Sequence, residues 1–248
     1  MKKITTYKIK SNIQLNPLIY KMILIGDTSW IKKPGQFMEI TVKDAYLKRP
    51  ISICDYNEKE LTIIYKVVGK GTKYMSTLKK NDSLESLIGL GNGFDLSLLK
   101  EQLLLIGGGV GIPPLYSVCK EALKLNKKPI VLLGFRTLED TYYIEEFKKL
   151  NVDVYVSSDD GSIGEKGNVV DLMKKHNFND YDYCTCGPLK MMESVYNNSK
   201  GHGLLSFEAR MGCGFGACMG CSTKTKNGYK RICKEGPILD SEELLWED

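Results

Sequence analysis

The stretch MGCGFGACMGC, Met211 to Cys221, holds three cysteines, Cys213, Cys218 and Cys221, and a fourth, Cys233, follows in RICKEG. The order is C-x4-C-x2-C, then eleven residues, then C. This is the plant-type spacing for the four thiolate ligands of a [2Fe–2S] cluster. Structural zinc more often uses paired C-x2-C knuckles or mixes in histidine, and no histidine falls between Cys213 and Cys233. A zinc loop stays as the alternative. The surrounding glycines suit a cluster: its thiolates leave a net negative unit, which backbone N–H groups aimed at the sulfurs offset. Arg210, Arg231 and Lys234 are expected to add positive field. Cys54, Cys119 and Cys184 lie in apolar patterns and are expected to be small core residues.

Two further stretches suit phosphate groups. RPIS, Arg49 to Ser52, opens a strand, and IIYKVVGKGT, Ile63 to Thr72, ends another and enters a helix. An arginine beside a helix N-terminus cradles a pyrophosphate, with Gly71 permitting close approach and Thr72 capping the helix. The plainer alternative is an edge-strand proline and a routine Gly-Thr cap. The second stretch, GGGVGIPP, joins a strand to a helix, where α/β sheets bind ligands. With Gly107 and Gly109 in place the last position of a G-x-G-x-x-G is Ile112, so the fingerprint is incomplete. Its alternative is a tight turn in a nucleotide-free domain. No acidic residue stands at the tip of the next strand, GFR, and Arg136 there suits a 2′-phosphate. His176 and His202 read as solvated, without a visible partner. The tail DSEELLWED reads as a solvated end, with Leu244, Leu245 and Trp246 available to dock on a partner.

These sites need elements to hold them. TYKIKSNIQL, LIYKMILIG, GQFMEITVKD, RPISICD and ELTIIYKVVG are β-rich and separated by turn residues, which predicts a small antiparallel barrel with a short helix after Gly71. From LLLIGGGVGIPPLYSVCKEALKL onward, strand and helix alternate through PIVLLGFR, VDVYVSS, NVVDLMKKH, YDYCTC and GPLKMMESVYNN, which predicts an open parallel α/β sheet. The fold class is therefore multidomain α+β: an N-terminal antiparallel β-barrel over 1–98, an α/β nucleotide-binding domain over 99–200, and a small cluster-binding region over 201–248.

Composition narrows the function. The 248 residues are 42% hydrophobic and 26% charged, with a formal charge of +5, ordinary for a globular protein. Basic residues form no block, so nucleic acid is not an expected partner. No run approaches a membrane span and no secretory signal opens the chain, so the cytoplasm is the expected address. Thiols stay reduced there, and eight cysteines then argue for metal or redox work rather than disulfides.

In order along the chain, RPIS, YKVVGKGT, GNGFDL, LLLIGGGVGIPPL, SSDDGS, CGPLKMM and SFEARMGCGFGACMGC resemble the ferredoxin-reductase superfamily. Within it they resemble most closely the electron-transfer subunits of class B, NAD-dependent dihydroorotate dehydrogenases. The resemblance covers nearly the whole chain. It implies FAD on Arg49, Pro50, Ile51, Ser52, Ile64, Tyr65, Lys66, Gly71 and Thr72. Ile51 stands where the wider superfamily usually has a flavin-stacking aromatic residue, and Tyr65 is a candidate to supply that contact. It implies NAD as co-substrate near Gly108, Gly109, Cys186 and Gly187, with the Cys-Gly-Pro beside the reacting carbon of the nicotinamide, and no catalytic residue in this chain. It implies electrons passing from the FMN of a separate dihydroorotate dehydrogenase catalytic subunit, through [2Fe–2S] and FAD, to NAD in pyrimidine (UMP) biosynthesis, within a heterotetramer of two plus two. The rival is a subunit of the NAD-dependent ferredoxin:NADP oxidoreductase or sulfide dehydrogenase type, where one cluster cysteine is often aspartate. A third reading is a zinc-stabilised binding module on a degenerate reductase fold.

Overall fold

The computed structural model describes residues 2–246. Its first part is a closed six-stranded antiparallel barrel. Strands β1 (Lys3–Gln14), β2 (Ile19–Ile25), β3 (Phe37–Ile40), β4 (Arg49–Tyr56), β5 (Glu60–Lys66) and β6 (Ser83–Leu90) close in the order β1-β2-β5-β4-β3-β6. Alternation dictates the inside: Tyr7, Ile9, Met22, Leu24, Met38, Ile53, Leu61, Ile63, Leu84 and Ile88 share one core. The pleat sends every second residue outward, and on β3 this aims Phe37 and Glu39 away from the barrel core toward the rest of the chain. Helix α1 (Lys70–Thr77) leaves the end of β5. A short turn, Leu96–Leu98, crosses to the second part.

There a seven-stranded sheet has the order β10-β9-β8-β7-β11-β12-β15. Its members are β7 (Gln102–Gly108), β8 (Lys128–Phe135), β9 (Asp153–Ser158), β10 (Glu165–Lys166), β11 (Asp182–Cys186), β12 (Gly203–Ser206) and, after a two-stranded ribbon of β13 (Ser222–Thr225) and β14 (Gly228–Arg231), β15 (Ile238–Asp240). All pairs are parallel except β12 with β15. The connecting helices are α2 (Ile112–Lys124), α3 (Ile144–Lys148), α4 (Val169–Lys175) and α5 (Leu189–Asn198). β7 reads LLLI without alternation because both its faces are covered. Leu103 and Leu105 join the core of α2, while Leu104 and Ile106 join that of α4 and α5.

The sheet continues past residue 200. β12 and β15 both belong to it, and the cysteine segment is a long excursion between them. Barrel and sheet are fastened by a Lys120–Asp55 ion pair at 2.6 Å and by Asn16 donating to the Asp140 carbonyl at 3.1 Å. The sequence placed the tail in solvent, but the structure packs it: Ser241, Glu243 and Leu244 are buried, and Trp246 lies against Tyr196 and Phe207, with centroids 5.8 and 5.7 Å away. Both histidines also have partners. His176 Nε2 lies 2.9 Å from Glu165 and stacks on Phe178, and His202 Nε2 lies 2.8 Å from Asp240. The partners come from other elements, which local composition does not show.

Candidate functional site

The cysteine loop is built as its spacing requires. The N–H groups of Ala217 and Cys218 point at Cys213 Sγ at 3.2 and 3.4 Å, that of Gly220 at Cys218 Sγ at 3.5 Å, and that of Cys233 at Cys221 Sγ at 3.4 Å. Burial works to raise the Cys213 thiol, yet the N–H groups of Cys218, Phe215 and Ala217 bring it down to about 6. Cys233 is buried and pushed up to about 12 by burial and by Cys221. The thiols group two and two, Cys213 with Cys218 and Cys221 with Cys233. Four thiols in two adjacent pairs match the four thiolates of a [2Fe–2S] cluster, two to each iron.

The loop's supports differ from those expected. Arg231 is paired with Glu235, with Nε to Oε2 at 2.9 Å, and donates to the Gly216 carbonyl at 2.6 Å. It is a brace rather than a free charge. Lys2, from the other end of the chain, donates to the Phe215 carbonyl at 2.5 Å and sits over that ring. Glu39 was not singled out from the sequence at all. Its carboxyl occupies the space a side chain on Gly214 would need, and Gly214 has φ +68°. Glu39 is 1% exposed, and its Oε1 has no hydrogen-bond partner among the described residues. Burial, then the Cys213 charge, raises it, with Lys48 opposing. The loop's outer side is open: Phe215 is 45% and Met219 53% exposed, and Cys218 is exposed.

Between barrel and sheet lies a cavity of about 360 Å³. Arg49, Pro50, Ile51, Ser52, Ile64, Tyr65, Lys66 and Thr72 line it. Gly71 stands behind: any side chain there would overlap the Arg49 guanidinium. That group is anchored by donation to the Leu47 carbonyl at 2.5 Å. Thr72 Oγ1 accepts from the N–H groups of Val68 and Gly69 at 3.0 and 3.3 Å, which closes the entry to α1, and a helix start of this kind suits an anion. Tyr65 does not present its ring as expected. It is 2% exposed, stacked on Tyr20, with its hydroxyl on Asn12; Phe207 is the aromatic residue with open surface here. Ser206, Glu208, Met211 and Pro237 complete this wall from the segment around the cysteines. Glu208 is held above the usual carboxylate range by its enclosed position.

A second cavity, about 470 Å³, opens at the C-terminal ends of β7, β8 and β9. Gly108 and Gly109 line it with Phe135, Arg136, Tyr142 and Asp159. Tyr142 donates to the Gly109 carbonyl at 2.6 Å and holds that loop. Cys186 lines the first cavity instead, with its thiol pushed up to about 12 by burial, and Gly187 packs on Gly108 behind the lining. Val110 and Lys66 line both cavities, so the two meet there.

A barrel with an anion cradle, a parallel sheet with a nucleotide-sized cavity abutting it, and a thiol loop behind define a ferredoxin-reductase-type oxidoreductase with an added iron–sulfur segment. Residues 105–197 match the oxidoreductase NAD-binding domain family, and residues 208–245 match the iron–sulfur cluster binding domain of dihydroorotate dehydrogenase B. Proteins named dihydroorotate dehydrogenase B (NAD(+)), electron transfer subunit, are 42% identical in Fusobacterium nucleatum, covering 95% of this chain and 96% of theirs, and 36% identical in Clostridium acetobutylicum, covering 99% of each. The chain belongs to this family of electron transfer subunits. Among solved structures, the NADH-dependent reduced ferredoxin–NADP oxidoreductase, described in connection with flavin-based electron bifurcation, superposes with TM-score 0.87 at 28% identity, over 97% of this chain and 90% of that one. A Neisseria gonorrhoeae ferredoxin NADP+ reductase shares the fold at TM-score 0.66 and 14% identity, over 79% of this chain and 90% of that one.

Proposed function

We propose that this chain is the electron-transfer half of a two-subunit dihydroorotate dehydrogenase, converting between the hydride of NAD(H) and single electrons in pyrimidine biosynthesis. The observation that carries it is the order of the three sites: nucleotide cavity and flavin cavity meeting at Val110 and Lys66, and the cysteine loop against the flavin wall through Met211 and Phe37. A bound flavin exchanges hydride on one side and single electrons on the other, so it belongs in the middle. Arg49 and the start of α1 bind its pyrophosphate. Ile51 and Ser52 on one strand and Ile64 to Lys66 on the next shape the wall around it. Gly108 and Gly109 receive the dinucleotide, and Cys186, neutral at this depth, packs at the junction without acting as a nucleophile. Cys213, Cys218, Cys221 and Cys233 hold [2Fe–2S].

The open rim at Cys218, Phe215 and Met219 is where a partner's electrons enter. We assign that partner as an FMN-containing catalytic subunit, in a two-plus-two assembly. The likeness to the ferredoxin–NADP oxidoreductase supports a second reading with a different partner and the same internal route. The test is an absorption spectrum of the purified chain before and after anaerobic NADH. The expected result is a flavin band with a broad iron–sulfur shoulder, both bleaching. A colourless, zinc-containing protein would overturn the reading.

A further inference from the structure

The turn between β8 and α3, residues 137–143, touches the nucleotide loop on one side and the barrel on the other. Its meaning rests on the function proposed above, in which a nucleotide held by the sheet must meet a flavin held by the barrel. Hydride transfer tolerates little error in that meeting, since a misplacement of about 1 Å costs about 100-fold in rate.

On the loop side, Gly109 has φ +52°, although a side chain there would meet nothing within 4 Å, so the backbone and not the space calls for glycine. Its carbonyl accepts twice, from the Ile112 N–H and from the Tyr142 hydroxyl, the latter at 2.6 Å. A trans peptide aims its N–H opposite to its C=O, so fastening this carbonyl also fixes the N–H of Val110, the residue shared by both cavities. Tyr142 is 8% exposed and set edge-on to Phe135, with centroids 6.2 Å apart. Burial, then the Cys54 and Cys186 thiols, push its phenol well above the usual value, which keeps it a donor.

On the barrel side, the next residue, Tyr143, has φ +65°. A bulky side chain in that region is strained and persists only where its surroundings hold it. Here they do: its ring lies edge-on to Tyr116 of α2 at 5.2 Å, Lys21 Nζ of β2 sits 5.1 Å from its centroid, and its hydroxyl faces Cys54 of β4. Asn16, just past β1, donates to the Asp140 carbonyl at 3.1 Å. Tyr143 is buried and lines neither cavity.

We infer that residues 137–143 form a brace that sets the nucleotide loop in register with the barrel, with Tyr142 a positioning residue for the Gly109–Val110 peptide and Tyr143 the anchor on β2 and β4. The two tyrosines divide the work. Tyr142 governs how well the loop receives a nucleotide, and Tyr143 governs where a received nucleotide lies relative to the flavin wall.

The test uses the flavin-loaded chain as wild type, Tyr142→Phe and Tyr143→Gly; glycine suits the left-handed backbone but drops the anchor. It reads the dissociation constant of NAD+ by calorimetry, the rate at which saturating NADH bleaches the flavin band in a single turnover, FAD per chain, and Tm. Tyr142→Phe is expected to weaken NAD+ binding about three- to tenfold, the loss of one hydrogen bond. Tyr143→Gly is expected to hold NAD+ affinity within about twofold of wild type while bleaching slows about tenfold or more. Both should keep their flavin. If the glycine variant does not fold, Tyr143→Leu keeps an apolar side chain in the interface and is read by the same two measurements. NAD+ affinity within about twofold of wild type in Tyr142→Phe overturns the inference, as does wild-type bleaching in the Tyr143 variant. So does loss of flavin ahead of any change in affinity or rate, because the turn would then serve the barrel's own site. Failure of the wild type to bind NAD+ removes the proposed function and this inference together. Wild-type use of NADH with both variants unmoved removes this inference alone.

Discussion

Gly71 and Gly214 do similar work at two different sites: each leaves room for a side chain that reaches across from the barrel. Arg49 fills the space at Gly71 and Glu39 the space at Gly214. Gly71→Ala is expected to weaken FAD binding about tenfold, or about 1.4 kcal/mol, because the guanidinium must leave its position. Thermal stability of the flavin-free protein should hold or rise slightly, since alanine favours the helix. Arg49→Ala should lose flavin too, measured as FAD per chain after gel filtration; full occupancy would remove the cradle. Gly214→Ala forces alanine to φ +68° against a buried carboxyl and is expected to lower iron content while flavin stays bound. Cys218→Ser should bleach the cluster and keep FAD. At this scale the cysteines were legible because ligand spacing survives in one dimension. Glu39 was not, because a single acid in FMEITVK looks like any outward strand residue until the partner loop is placed on it.

At the level of elements, the edge pair β12 and β15 is held by more than its ladder. His202 Nε2 meets both oxygens of Asp240, at 2.9 and 2.8 Å, and Nδ1 lies 3.4 Å from the Leu98 carbonyl. One imidazole thus links the crossing from the barrel to both strands. Burial works to lower the His202 pKa, but the hydrogen bond and charge of Asp240 and the Leu98 carbonyl raise it overall. A raised folded-state pKa means that the stabilisation is complete below the ordinary histidine value of about 6.5 and is lost as pH rises through the folded value. His202→Gln should therefore lower Tm by a few degrees near pH 5 and have progressively less effect toward pH 8. A Tm difference independent of pH would show that charge plays no part. The barrel and the parallel sheet were readable from alternation and from strand–helix succession. β15 was not, since three apolar residues among turn signals specify no partner, and the pair His202–Asp240 spans 38 positions.

At the scale of the whole molecule the two cavities meet at Val110 and Lys66, and the cysteine segment packs on the flavin-cavity wall through Met211 and Phe37. The isolated chain is expected to reduce artificial acceptors with NADH and to leave dihydroorotate untouched, by direct assay of orotate formation. Turnover of dihydroorotate by this chain alone would defeat the two-subunit reading. The placing of the cluster excursion between β12 and β15 also bears on how the protein comes to exist. Synthesis runs through all four cysteines before it reaches the strand that covers β12. A nascent chain paused after β12 and before Ile238 thus leaves β12 as the edge strand, where the finished sheet ends on the three-residue β15, and a shorter edge recruits neighbouring chains less readily. Ligand set and edge protection are completed within a few residues of each other, so quality control that removes chains with an open edge also removes those that have not yet made Cys233.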